Sequence, residues 1–134
     1  MLTLLYARGR GILLARFTGF VSSADLDALD AAVIEFGGRF GPFHGIWDFS
    51  SAEVMAVPET KIQQRGRTSQ LMPGRQRIIV VNTFEQEGLA RIFIAEQTHA
   101  GFEPPKVVSS TEVAFEWLQV TATDFEPVAF LPGT

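Results

Sequence analysis

The chain begins with two short apolar runs that predict a pair of strands. Leu2–Ala7 and Ile12–Phe17 are rich in aliphatic and aromatic residues, as strands are. The break between them, Arg8-Gly9-Arg10-Gly11, holds two glycines, which accept a positive φ and therefore suit a hairpin. We expect the first strand to lie antiparallel to the second, at an edge of the sheet.

A helical stripe comes next. Apolar residues recur from Leu26 to Phe36 at spacings of three, four and three, which places them on one face of a helix. Ser22, with Asp25 three residues on, predicts a capping box at its start. Gly37-Gly38 is expected to end it.

The middle of the chain predicts a buried strand and then a helix. Phe43–Phe49 is almost continuously apolar, which is typical of a strand covered on both faces. Ala52–Val57 fits no single element. Pro58 can open a helix that continues over Glu59–Leu71, although Gly66 disfavours its interior.

Pro73-Gly74 indicates a turn before a short β-branched strand at Ile78–Val81. Thr83 and Gln86 predict a second capping box. It would open a helix at Phe84 that runs to about Thr98.

The last elements are a fifth strand at Val107-Val108 and a helix capped by Ser109 with Glu112. An apolar tail follows, residues 121–134, which includes Phe125, Val128, Phe130 and Leu131.

The order β-β-α-β-α-β-α-β-α predicts one α/β domain over residues 1–120. Its sheet should be mixed, mostly parallel and five-stranded, with an antiparallel edge hairpin, right-handed crossovers and about four helices. The tail should pack either on this domain or on a second subunit. We expect a homodimer.

Composition narrows the function classes. The chain has 134 residues, a formal net charge of −4 and no cysteine, which excludes disulfides and thiolate sites and argues against nucleic acid as a partner. No apolar run is long enough to span a membrane, and no secretory signal is visible, so we expect a cytoplasmic protein. Twelve phenylalanines against one tyrosine indicate an aromatic core, an apolar ligand cavity or a dimer face.

Two groups of polar residues are candidates for binding. In open α/β sheets, ligands bind at the carboxyl ends of strands. The polar residues at these ends are Asp48, Ser50, Ser51, Asn82 and Thr83. The alternative is that they form turns or cap helices. A stretch without acidic residues runs from Thr60 to Phe84 and could bind a phosphate, a lipid headgroup or an acidic partner, or simply be a solvated surface. Its basic residues are Lys61, Arg65, Arg67, Arg75 and Arg77.

Catalytic and metal chemistry find little support. The two histidines, His44 and His99, are isolated from other ligand types, and a metal site needs several converging ligands. A triad of Ser50, His99 and Asp48 would lack the nucleophile elbow. We therefore expect no catalytic residue, no metal and no cofactor.

Five motifs, in their order, resemble the SpoIIAA-like branch of the STAS and CRAL-TRIO fold group. They are Ile12–Gly19, Ser22–Leu29, Ile46–Ser50, Arg77–Asn82 and Glu112–Leu118. The resemblance covers residues 2 to 119 and implies the family's α/β fold.

Anti-sigma-factor antagonists of that group are switched by phosphorylation of an Asp-Ser-Ser motif. The resemblance places Ala56-Val57-Pro58 there, so the acceptor is absent. It implies a non-enzymatic binding or regulatory module, with a protein partner, that has lost this switch. The alternative is a carrier of a small apolar or lipid-like ligand, as CRAL-TRIO proteins are.

Overall fold

The structure is a computed structural model that describes residues 1–68 and 74–129. In that part of the chain the strands and helices alternate much as the sequence predicts. They are β1 (Leu2–Ala7), β2 (Ile12–Ser22), α1 (Ser23–Phe40), β3 (His44–Ala56), α2 (Glu59–Gly66), β4 (Arg77–Val80), α3 (Phe84–His99), β5 (Lys106–Val108), α4 (Thr111–Leu118), a 3₁₀ helix (Ala122–Asp124) and β6 (Glu126–Val128).

The α/β class is confirmed, with a six-stranded mixed sheet in the order β5-β4-β3-β2-β1-β6. Strands β2 to β5 are parallel to one another, and β1 is antiparallel to both β2 and β6. The predictions of five strands and of β1 at the edge are wrong, because β6 pairs with the outer side of β1. Strand β6 has only three residues, one of which is Pro127. An edge strand tolerates a proline, but a segment so short and interrupted by proline cannot be recognised as a strand from its sequence.

Both faces of the sheet are covered, and β2 shows why. Its residues alternate between two cores: Leu13 and Ala15 pack with α1 and α2, whereas Ile12 and Leu14 pack with α4 and the tail. Successive side chains of a strand point to opposite faces. A continuous apolar run therefore needs helices on both sides.

Local capping chemistry starts the helices. The backbone N–H of Ser22 donates to the Asp25 carboxylate at 2.8 Å, so the first capping box is confirmed. Thr83 caps α3 by accepting from the backbone N–H three residues on, at 3.2 Å. The prediction of Ser109 as the cap of α4 is wrong by one residue, since Ser110 accepts that hydrogen bond.

Helix α1 does not stop at Gly37-Gly38 but continues to Phe40, and Gly41 ends it with a φ of 78°. The ring of Phe40 stacks on Tyr6, with 4.6 Å between centroids. This packing stabilises the last turn against the weak helix propensity of the glycines.

Strand β3 extends through the segment that the sequence leaves unassigned and ends at Ala56. Beyond Asp48 it pairs with β2 but no longer with β4, and two register shifts interrupt that ladder. Ser50 and Ser51 consequently lie inside the strand, which corrects the prediction that they close it. Helix α2 ends at Gly66; the predicted helix end at Leu71 and the turn residue Pro73 lie outside the described residues.

The described part of the tail packs on its own domain. Phe125 is buried, and its ring stacks on that of Phe115 at 5.4 Å between centroids, while Val128 pairs with Leu4. Phe130 and Leu131 lie outside the described residues. The structure contains one copy of the chain, so the homodimer stays a prediction. Of the helices in residues 1–68 and 74–129, none is long and apolar enough to cross a membrane.

Helices α2 and α3 lie close together at Gly66. A Cβ at this position would lie 2.5 Å from the Cβ of Glu96 and 3.1 Å from the carbonyl oxygen of Phe93. The contact is with backbone and the root of a side chain, neither of which can rotate away. Only glycine therefore fits without moving one of the two helices.

We expect Gly66→Ala to lower the free energy of unfolding by about 1–3 kcal/mol, as overpacking does. Gly88→Ala is the matched control in α3, because no atom lies within 4 Å of the added methyl; it should raise stability by about 0.5–1 kcal/mol. Urea unfolding of the two variants measures both. Equal effects would mean that the contact between α2 and α3 is looser than the structure describes.

Candidate functional site

A cavity of about 380 Å³ lies between one face of the sheet and helices α1, α2 and α3. Strands β3 and β4 form its floor, and the three helices form its walls. Its lining is mainly apolar and includes Leu29, Val33, Trp47, Phe49, Leu89 and Phe93.

The floor of the cavity follows from strand alternation. Gly45, Trp47 and Phe49 are alternate residues of β3 that point to the same face, where they line the cavity. The Trp47 indole lies directly over Gly45, so closely that any Cβ on this glycine would collide with it. Gly45 thus leaves room for the indole to lie along the floor.

One wall is closed by an ion pair between two helices. Arg65 of α2 donates from both terminal nitrogens to the Asp30 carboxylate of α1, at 2.6 and 2.9 Å. This bidentate geometry is the strongest that an arginine makes with a carboxylate. The charge of Arg65 is therefore compensated inside the protein.

A polar corner closes one end. Gln97 is 1% exposed; its amide nitrogen donates to the carbonyl oxygens of Gly66 at 2.6 Å and Thr68 at 3.4 Å. The amide oxygen of Gln97 accepts from Nη2 of Arg77 at 3.0 Å. Nη2 of Arg77 also donates to the Glu103 carbonyl oxygen at 2.6 Å. Burial lowers the pKa of Arg77, an effect that the charge of Glu103 opposes.

The other end holds a second buried amide. Gln86 donates to the Ala52 carbonyl oxygen at 3.3 Å, and its oxygen accepts from the backbone N–H of Asn82 at 2.9 Å. The Asn82 side chain donates to the Ser50 carbonyl oxygen at 2.9 Å. Together with the Thr83 cap, these bonds fasten the start of α3 to β3.

Asp48 is 1% exposed and alternates with the cavity residues of β3, so it points to the opposite face. One carboxylate oxygen accepts from the Ser50 backbone N–H at 2.9 Å and from its hydroxyl at 2.6 Å. The other lies 3.4 Å from Nε of Arg16. Of the five residues proposed at the strand ends, Asp48, Ser50 and Asn82 are connected by hydrogen bonds, and Ser51 is exposed. None of the five lines the cavity.

Three basic residues of the stretch from Thr60 to Phe84 form ion pairs with acidic residues of neighbouring helices. Besides the Arg65 pair, Lys61 lies 3.0 Å from Asp27, and Arg67 lies 3.0 Å from Glu96. Hydrogen bonding to Arg67 lowers the pKa of Glu96. Arg75 is exposed, and Arg77 lines the cavity. Three of the five basic residues are thus paired in space.

His44 begins β3 and is tied to the strand beside it. Its Nδ1 accepts from the backbone N–H of Gln76 at 2.9 Å. Burial lowers its pKa, and the charge of Arg75 lowers it further. His99 lies in the last turn of α3. No cluster of three metal-ligating side chains occurs among the described residues.

Comparison with known proteins gives no family: no family model matches the chain, and no curated protein is similar to it. The site therefore rests on its geometry. The phenylalanine content indicated an apolar ligand cavity only as one of three alternatives and did not locate it. A signal for its position was present in the alternation of Gly45, Trp47 and Phe49 on β3 beside Arg77 and Ile79 on β4. It could not be recognised as a cavity because the same pattern also describes a filled core.

The His44 contact makes stability depend on pH. Its folded pKa lies below the unfolded value of about 6.5, so the unfolded chain binds the proton more readily, and stability falls as pH drops through and below that value. His44→Gln should remove this component, whereas His99→Gln should leave it. Urea midpoints measured at neutral and mildly acidic pH test this. Identical pH profiles of wild type and His44→Gln would contradict it.

Asp48→Ala should destabilise the fold without affecting the cavity. It leaves the Ser50 N–H inside the strand without its acceptor, which costs about 1–3 kcal/mol for a buried group. Ser51→Ala, on an exposed neighbour, should change stability by less than about 0.5 kcal/mol. Chemical denaturation measures both. An Asp48→Ala protein of unchanged stability would show that the carboxylate has no structural role.

Proposed function

We propose that this protein is a non-enzymatic binding module, a SpoIIAA-like domain of the carrier type, which holds a small apolar molecule in the cavity between its sheet and helices α1 to α3. The observation that carries the proposal is the cavity itself, about 380 Å³ with a mainly apolar lining. Small-molecule sites occupy about 300–1,000 Å³ and combine apolar walls with a few polar groups. This one lies at the small end of that range.

The packing around the cavity supports an apolar ligand. Protein interiors are packed as densely as organic crystals, so an open space of this size beside Phe49, Leu89 and Phe93 leaves apolar surface without contacts. An apolar molecule that enters such a space gains those contacts and leaves water. The high phenylalanine content of the chain thus serves both the core and the walls of the site.

The polar lining supports binding rather than catalysis. Asp30 is held by Arg65, and the amides of Gln86 and Gln97 bond to backbone and neighbouring groups. Among the described lining residues, no nucleophile lies beside a general base, the arrangement that acyl or phosphoryl chemistry requires.

A regulatory module with a protein partner is the second candidate. Ala56, Val57 and Pro58 join β3 to α2 and offer no hydroxyl, so phosphorylation at this junction is not part of the proposal. The observation in favour is an apolar pair outside the core: Phe20 is 63% exposed and Val54 is 49% exposed, opposite each other on β2 and β3. A partner protein or a second copy of the chain, as in the expected homodimer, would cover it.

Filling part of the cavity should weaken binding. Ala90 of α3 is 7% exposed and lines the cavity, whereas Ala95 of the same helix is exposed. Ala90→Leu should weaken binding of the neutral fluorophore N-phenylnaphthylamine at least about ten-fold, because one leucine removes apolar contacts and space that the ligand needs. Ala95→Leu, its control, should bind like wild type. Fluorescence titration gives the dissociation constants.

Stability separates a blocked site from a damaged fold. Ala90→Leu should unfold at a urea concentration equal to or above that of wild type, since filling a cavity stabilises a protein. Native mass spectrometry of the purified wild type should also detect a co-purifying small molecule. Equal probe binding by wild type and a folded Ala90→Leu protein would refute the carrier function.

A further inference from the structure

We propose that the ligand of this cavity is an apolar molecule that ends in a single carboxylate, and that Arg77 binds this carboxylate while the apolar part lies along the floor toward Met55. The proposal rests on the proposed function and adds the chemical class of the ligand. Its basis is the position of Arg77 at one end of a cavity with a mainly apolar lining.

Arg77 lies at one end of the cavity, the end that Gln97 closes. Arg77 begins β4 and pairs in register with Gly45 near the start of β3. Gln97 lies beside it near the end of α3. The lining residue Met55 comes from the far end of β3, ten residues beyond Gly45. A ligand aligned with the strands would therefore meet the guanidinium at only one of its ends.

Arg77 has hydrogen-bonding capacity left. A guanidinium carries five N–H donors. The hydrogen bonds to Gln97 and to the Glu103 carbonyl oxygen both come from Nη2. Nε and Nη1 make no hydrogen bond to a described residue. Since no buried polar side-chain atom in the described chain lacks a partner, these N–H groups face solvent or the cavity.

The contrast with Arg65 makes Arg77 the binding group. Arg65 also lines the cavity, but its two terminal nitrogens are bound to the Asp30 carboxylate. The side-chain acceptor of Arg77 is the neutral amide of Gln97. A second carboxylate has little to gain at Arg65 and charge-assisted hydrogen bonds to gain at Arg77.

The electrostatic environment favours an anion at this end. Burial lowers the pKa of Arg77, and the charge of Glu103 offsets this effect only in part. The charged form is therefore poorly solvated, although an arginine stays protonated in proteins. A carboxylate brought beside it compensates that loss in a medium where charges interact more strongly than in water. A neutral ligand of the same shape would not.

Decanoic acid and decanol are the probes, because they share an apolar chain and differ in the charge of the head. Trp47 lies on the cavity floor and reports binding through its fluorescence once Trp117, which is 54% exposed on α4, is replaced in a Trp117→Phe background. Near neutral pH, below the critical micelle concentration, decanoate should bind at least about ten-fold more tightly than decanol, the range expected of a hydrogen bond to a charged group.

Arg77→Met keeps an unbranched apolar side chain and removes the guanidinium with its charge. It should weaken decanoate binding about ten-fold or more and leave decanol binding unchanged. The control is Arg75→Met. Arg75 lies two residues before Arg77, is exposed and does not line the cavity, so its replacement should change the affinity for neither decanoate nor decanol. In ¹⁵N-labelled wild type, the Nε–H resonance of Arg77 should shift on addition of decanoate and not of decanol, which tests the contact without any substitution at that position.

The outcomes separate the two proposals. Equal affinity of wild type for both probes, or decanoate binding that survives Arg77→Met, would overturn the carboxylate assignment and leave the apolar carrier intact. An Arg77 Nε–H resonance that decanoate leaves in place would overturn it as well, even if Arg77→Met fails to fold. Binding of neither probe would refute the proposed function together with this inference.

Discussion

The parallel pairing of β2 and β3 is the interaction on which the other features of the fold depend. The two strands are the longest of the sheet and pair from Ile12 with His44 to Ser22 with Ala56. Because the first halves of both strands are buried on two faces, consecutive residues there serve two different cores. Trp47 and Phe49 face the cavity. On the opposite face, Ile46 packs with α4 and Asp48 contacts Arg16. A shift of one residue would exchange these faces and abolish the site.

Three polar links hold the helices around the cavity. Arg65 and Asp30 join α2 to α1, Gln97 joins α3 to the end of α2, and Gln86 joins the start of α3 to β3. If the walls collapsed to fill the space, these groups would lose hydrogen bonds, which the buried amides of Gln86 and Gln97 could not replace with bonds to water. The links therefore act against the tendency of an apolar core to close. They also explain why a protein with so many phenylalanines leaves part of its interior open.

Basic residues that are clustered along the chain are paired with acidic residues in the folded protein. The stretch from Thr60 to Phe84 holds no acidic residue, yet Lys61, Arg65 and Arg67 contact acids of α1 and α3 that lie far away in the sequence. Exposed pairs such as Arg67 with Glu96 add little stability. The partly buried pair of Arg65 with Asp30 shapes the wall of the cavity. The basic stretch is thus largely an internal set of contacts, and Arg77 is the member with a place in the site.

Local chemistry in the sequence determined the element order, the parallel character of the sheet and most helix starts, because capping boxes and apolar periodicity act over three or four residues. It could not determine β6, since Glu126–Val128 becomes a strand only beside β1, nor the end of α1, where stacking of Phe40 on Tyr6 outweighs two glycines. The candidate site divides in the same way. Capping by Thr83 could be predicted from neighbouring residues. The cavity could not, because it is a space between five elements, and whether Trp47, Phe49 and Phe93 fill it or line it depends on how far the polar links hold the helices from the sheet.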